Sequence, residues 1–169
     1  MANERARLID IVLDEDTLAR RGPEVEHERA VAINDLLTDN SFQLVGHDCG
    51  PYRLRISMRE NRLLFHVHGD SHALGEGDRP ELAQVVLPLS PFRSVIRDYF
   101  TVCEAYYEAI KTASPARIEA IDMGRRSLHN EGALILRERL DGKIQTDSNT
   151  ERRLFTLICV LHVREWTQS

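Results

Sequence analysis

Between Tyr52 and Arg59 the side chains alternate without a break, Tyr52, Leu54, Ile56 and Met58 against Arg53, Arg55, Ser57 and Arg59. A period of two predicts a strand with one buried face and three arginines on its wet face. FQLVGH (42–47), LLFHVHG (63–69) and LAQVVLPL (82–89) are short, rich in β-formers and set apart by turn residues, so they are expected as further strands. Glu60-Asn61-Arg62 is the expected hairpin turn. RLIDIVLDED (7–16) also reads as a strand, but its apolar residues run too continuously for clean alternation, which predicts cover on both faces. After a Gly22-Pro23 turn, residues 23–37 predict a helix with Pro23 at its first position and acids in its first turn. Val25, Ile33, Leu36 and Leu37 supply its apolar stripe. GDSHALGEGDRP (69–80) predicts an exposed mobile loop.

From Ser90 onward the apolar period changes to three and four. Ser90-Pro91 and Ser114-Pro115 each read as a helix start, the serine capping free N–H groups and the proline lacking one at the first turn. The first of these helices carries Phe92, Val95, Ile96, Tyr99, Val102, Cys103, Tyr106 and Ile110 at a spacing of three and four, which predicts one buried face. The second runs from about Pro115 to Leu140 and stops at Asp141-Gly142. The third follows a turn at 147–149, with Asn149 as its expected cap, and is apolar almost all round from Leu154 to Val163, as a central buried helix would be. Strands first and helices afterwards predict an α+β fold. A small, mostly antiparallel sheet in the N-terminal half packs against three long C-terminal helices, in one domain over residues 1–169.

Composition narrows the function classes. With 42% hydrophobic and 29% charged residues, the chain has ordinary globular chemistry rather than that of disorder. A net charge of −5 argues against non-specific nucleic-acid binding. Cys49, Cys103 and Cys159 are odd in number and widely spaced, which suits neither a disulfide framework nor a zinc knuckle and points to a reducing cytosol. The N-terminal residues read as a strand rather than a signal peptide, and LFTLICVLHV is too short to span a bilayer. No cofactor signature is present in the sequence.

The candidate chemistry sits in the second of the long helices. On a wheel Ile118 and Leu136 coincide, and Ile121, Leu128 and Leu140 lie within about 80° of them. Arg125 and His129 fall inside this stripe, with Asp122 at its edge and Gly132 beside them. The spacings of three and four let Asp122, Arg125 and His129 touch. Two readings follow. In one, the three form an internal network that satisfies buried charge. In the other, Arg125, the adjacent Arg126 and His129 open onto a pocket that binds a small anion or a protein partner, since arginine offers a planar fork to carboxylate or phosphate. An enzyme using His129 or His162 as acid or base, with Arg125 orienting an anionic substrate, is the alternative. No Ser or Cys nucleophile is tied to these residues by spacing. His162 falls near Phe155, Ile158 and Trp166 and reads first as a satisfied core residue. Self-association through the apolar helices is a third reading.

HVHGDSH (66–72) has residue types that zinc accepts, but the ligands come from one short stretch and the strand period is expected to fail after Gly69. It reads as a solvated strand end, with no metal. The pairs Arg20-Arg21, Arg125-Arg126 and Arg152-Arg153 read as salt-bridged surface.

Six stretches carry a resemblance: RLIDIVLDE, PEVEHERAVAI, GPYRL, LSPFRSVIRDYF, TASPARIEAIDMGRRSLHNEGALILRERL and RRLFTLICVLH. Together, from about Arg7 to His162, they resemble a small single-domain bacterial family catalogued as uncharacterised protein family 0262. The resemblance implies a cytosolic bacterial protein and brings no activity, cofactor or catalytic residue with it. HVHGDSH lies outside the resembling stretches. The expectation that follows is a non-catalytic binding or regulatory module, working through Asp122, Arg125, Arg126 and His129, with His162 as a further candidate.

Overall fold

Backbone hydrogen bonding ties four strands into one sheet, in the order Leu8–Leu13 (β1), Tyr52–Arg59 (β3), Arg62–Gly69 (β4) and Glu81–Pro88 (β5). The computed structural model describes residues 5–14, 23–47, 50–70 and 81–162. The expected mobile loop falls mostly on 71–80, and the Gly22 turn, Cys49, His72 and Trp166 likewise lie outside the described residues. Strand β2 (Phe42–Leu44) pairs separately with β6 (Ile144–Thr146). The helices are α1 (Pro23–Thr38), α2 (Arg93–Thr112), α3 (Pro115–Leu140) and α4 (Ser148–Leu161), an α+β fold.

The alternation in β3 does what its period dictates. Leu54 pairs with Val67 and Ile56 with Phe65 on β4, and Phe65 pairs in turn with Val85 on β5, so one sheet face is continuously apolar. Arg53, Arg55 and Arg59 lie on the other face, where Arg53 meets Asp10 and Asp70 and Arg55 meets Asp14. The hairpin turns at Glu60 and Asn61, both with positive φ, a conformation suited to a tight two-residue turn. β1 runs parallel to β3, so the sheet is antiparallel except along this edge. The cover expected on both faces of β1 stops short of Val12, which is 49% exposed on the open face of an edge strand. Asn40 anchors the strand's start: its side-chain amide accepts from the Leu8 N–H at 2.7 Å and donates to the Leu8 carbonyl at 2.9 Å.

Two helix starts differ from expectation. Ser90 opens a single 3-10 turn (Ser90–Phe92), and α2 begins behind it with no side-chain cap, the turn itself supplying the backbone partners. For α4 the capping side chain is Asp147, which accepts from the Thr150 N–H at 2.8 Å, and not Asn149. Ser114 caps α3 as its position predicts.

α4 is the axis of the helical layer. Every residue from Leu154 to Leu161 is buried, with α1 on one side and α3 on the other. α3 approaches closely at Gly132, where an added Cβ would stand 2.4 Å from the Phe155 ring. Phe155 is fully buried and has nowhere to move. Gly132→Ala is therefore expected to destabilise the fold by about 1–3 kcal/mol, although alanine in a free helix would gain nearly 1 kcal/mol over glycine. Urea unfolding measures this; a midpoint at or above that of the parent protein would show that α3 and α4 are not locked at this point.

Candidate functional site

Three helices each contribute one face to an open cleft of about 370 Å³. α1 lines it with Glu28, Val31, Ala32 and Asp35, at the spacing that stacks side chains along one helix face. α4 repeats that spacing with Asn149, Arg152, Arg153 and Thr156. α3 closes the end with Arg126, His129 and Asn130.

The sequence candidates separate here. Asp122 and Arg125 form the internal network. The Arg125 guanidinium donates to Asp122 Oδ1 from Nη2 at 2.7 Å and from Nε at 3.2 Å, and from Nη1 to Glu28 Oε1 at 3.4 Å. Glu28 Oε1 also accepts from the Tyr107 hydroxyl at 2.8 Å, and the guanidinium lies 4.5 Å from the centre of the Tyr106 ring. Burial disfavours the charge on Arg125, but the Asp122 bond and the Glu28 charge more than offset it, holding its pKa above the usual value. With side chains 21%, 18% and 24% exposed, Arg125, Asp122 and Glu28 are half-buried and satisfied by one another.

Arg126 and His129 do reach the cleft. Arg126 is 74% exposed and meets Asp122 Oδ2 at 3.0 Å. His129 Nε2 lies 3.3 Å from Thr156 Oγ1, and its ring sits 4.9 Å from that of Tyr99. The Thr156 hydroxyl donates its single hydrogen to the Arg152 carbonyl at 3.2 Å, which assigns Nε2–H as the donor to Thr156. Burial, then the Arg125 and Arg152 charges, push the His129 pKa down to about 4, so the ring is neutral at neutral pH. His162 stands apart, capping the end of α4 with Nδ1 2.6 Å from the Ile158 carbonyl; it does not line the cleft.

The sequence reading missed the α4 wall. Arg152 is held by two neutral amides, donating from Nη1 to Asn130 Oδ1 at 3.2 Å and from Nη2 to Asn149 Oδ1. Arg153 donates to the Asp39 carbonyl at 2.7 Å. Neither has a carboxylate partner among the described residues. The available signal was Asn149-x2-Arg152-Arg153-x2-Thr156, a polar face opening an otherwise apolar helix.

Outside the cleft, His66 Nδ1 meets Glu81 Oε1 at 2.8 Å and its Nε2 lies 3.3 Å from Ser57 Oγ. This is the order of an acyl-transfer relay, yet Ser57 is only 5% exposed, too closed for a substrate carbonyl to reach its oxygen. Asp70 holds Arg53. Among the described residues no group of three His, Cys, Asp or Glu side chains stands where it could hold a metal ion, and no helix is long and apolar enough to cross a membrane.

Comparison with known proteins gives a family. The model described as "Uncharacterised protein family (UPF0262)" matches residues 5–164. The chain is 58% identical to a UPF0262 protein of Rhodospirillum rubrum over 93% of this chain and 92% of that one. It is 54% identical to one from Rhizobium etli over 97% and 99%, and 56% identical to one from Brucella anthropi over 94% and 95%. No solved structure matches the chain.

The low pKa of His129 gives stability a pH dependence. The unfolded ring titrates near 6.5 and the folded one near 4, so between these values the unfolded chain binds more protons. The contribution is fully present above pH 6.5 and is lost as pH falls through 4, to a total of at most about 3 kcal/mol. Around the ring stand Arg125 and Asp122 of α3 and Arg152 of α4, with Glu28 of α1 across the cleft. His129→Gln is expected to flatten the dependence of unfolding free energy on pH between 6.5 and 4. Parallel curves for the two proteins would show that the ring titrates normally.

Proposed function

The chain belongs to the uncharacterised protein family UPF0262, and from its cleft we propose that it is a non-catalytic binding module whose ligand is a small anion. The observation that carries this reading is the pair Arg152 and Arg153, two guanidinium groups facing a cleft with neutral partners in place of carboxylates. Such groups gain most from an anion, because no internal ion pair has to be broken. Arg126 adds a third charge at the α3 end, and neutral His129 and Thr156 form a polar floor. A concave volume of about 370 Å³ is in the range of small-ligand sites and favours a small molecule over a protein surface.

The expected orienting role of Arg125 passes to Arg152. Arg125 is committed to Asp122 and Glu28. His129, with a pKa near 4, is a weak base at neutral pH, and the Nδ1 of His162 lies against a backbone carbonyl. The buried free thiols of Cys103 and Cys159 accord with a reducing bacterial cytosol.

Titration with inorganic phosphate at low ionic strength, followed by amide chemical shifts, tests the reading. Saturable shifts are expected at the start of α4 and around residue 130. Arg152→Met removes a charge-assisted contact of about 1.5–3 kcal/mol, a loss of roughly 10- to 100-fold in affinity, with little change in unfolding midpoint. Absence of saturable shifts, or an affinity untouched by the substitution, would overturn the assignment.

A further inference from the structure

We propose that the ligand is a small zwitterion, a primary ammonium and an anionic group joined by a short carbon chain. This rests on the anion reading above and adds the other end of the molecule. The walls of the cleft differ in sign. α1 presents Glu28 and Asp35 two turns apart, with Val31 and Ala32 between them. α4 presents Arg152 and Arg153 from the opposite side.

Two of the lining charges are already compensated. Glu28 is met by Arg125, and Arg126 by Asp122. What remains is Asp35 on one wall and Arg152 with Arg153 on the other. None of these three has an oppositely charged partner within 4.0 Å among the described residues. α1 and α4 pack directly together, yet the carboxylate of Asp35 does not meet these arginines. Opposite charges held apart across one cleft are both satisfied by a molecule that carries both signs. A bare anion on Arg152 sits in the field of Asp35 and Glu28, and a bare cation on Asp35 sits in that of the arginines. Val31, one turn from Asp35 on the same wall, offers exposed apolar surface to the methylenes that join the charges. Asn130 and Asn149 hold the Arg152 fork in place before any ligand arrives, so the anionic end meets a site already ordered.

Matched pairs of probes isolate the ammonium. 2-Aminoethyl phosphate and propyl phosphate have nearly the same shape and differ in one charge. 4-Aminobutyrate and pentanoate do the same with a carboxylate end. Titrations at pH 8, where both phosphates are dianions, are expected to show tighter binding of the ammonium member in at least one pair. About tenfold or more is expected, as for one charge-assisted hydrogen bond. The pair that discriminates identifies the anionic end as phosphate or carboxylate. Asp35→Asn is expected to bring that ratio close to one while the uncharged-tail probe binds as well as before or better. Asp35 is exposed on α1, and circular dichroism checks that the helix is kept. Equal affinities within both pairs, or discrimination that survives in Asp35→Asn, overturn the zwitterion and leave the anion reading of Arg152 standing. Failure of all four probes and of inorganic phosphate overturns both.

Discussion

The depth to which α4 sinks governs everything around it. A helix that is apolar almost all round from Leu154 to Leu161, Thr156 being the exception, must be enclosed, so α1 and α3 are drawn to its flanks. Gly132 sets how near α3 can come, because only a hydrogen fits against the Phe155 ring. Before Leu154 the enclosure is one-sided: Arg152 and Arg153 are half-buried and line the cleft, while Thr150 and Glu151 are buried. There α4 emerges with Asn149, Arg152 and Arg153, and the flanking helices that were packed against apolar side chains now face polar ones.

That transition arranges the arginines by how fully they are compensated. Arg125, deepest of those on α3, has two carboxylates and an aromatic face, as a half-buried guanidinium requires. Arg126 has one carboxylate and ample water. Arg152 and Arg153 have amide and carbonyl oxygens only. Neutral acceptors fix the direction of a guanidinium without cancelling its charge, a different outcome from an ion pair, which does both. The Arg125 network therefore reads as scaffold: it ties α1 to α3 through Glu28 and α1 to α2 through Tyr107.

Much of the fold was legible because its signals are local. The β3 alternation, the Glu60-Asn61 turn, the Ser114 cap and the limits of α3 each depend on a few adjacent residues. The parallel pairing of β1 with β3 and the short β2–β6 ladder depend on contacts across the chain, and three residues are too few to show a period. The cap of α4 was misplaced because Asp147, Ser148 and Asn149 are all good capping residues and only the backbone decides among them. The site was half legible for the same reason. A wheel drawn on α3 finds Asp122, Arg125 and His129, but the acid that completes their network, Glu28, lies 97 residues from Arg125. Arg152-Arg153 looked like scattered surface charge because its meaning comes from the carboxylates it does not meet.

His129 links these layers. Its ring packs on the core residues Tyr99 and Phe155, while Nε2 lies against Thr156 at the cleft floor. Burial first, then the charges of Arg125 and Arg152, keep this ring unprotonated, and of these two arginines only Arg152 lines the cleft. Above about pH 5 the positive charge of the cleft comes from guanidinium groups alone and does not vary. On the proposed reading, an anion at Arg152 offsets one of the charges that, after burial and Arg125, depress the His129 pKa, so binding and protonation of the ring favour one another.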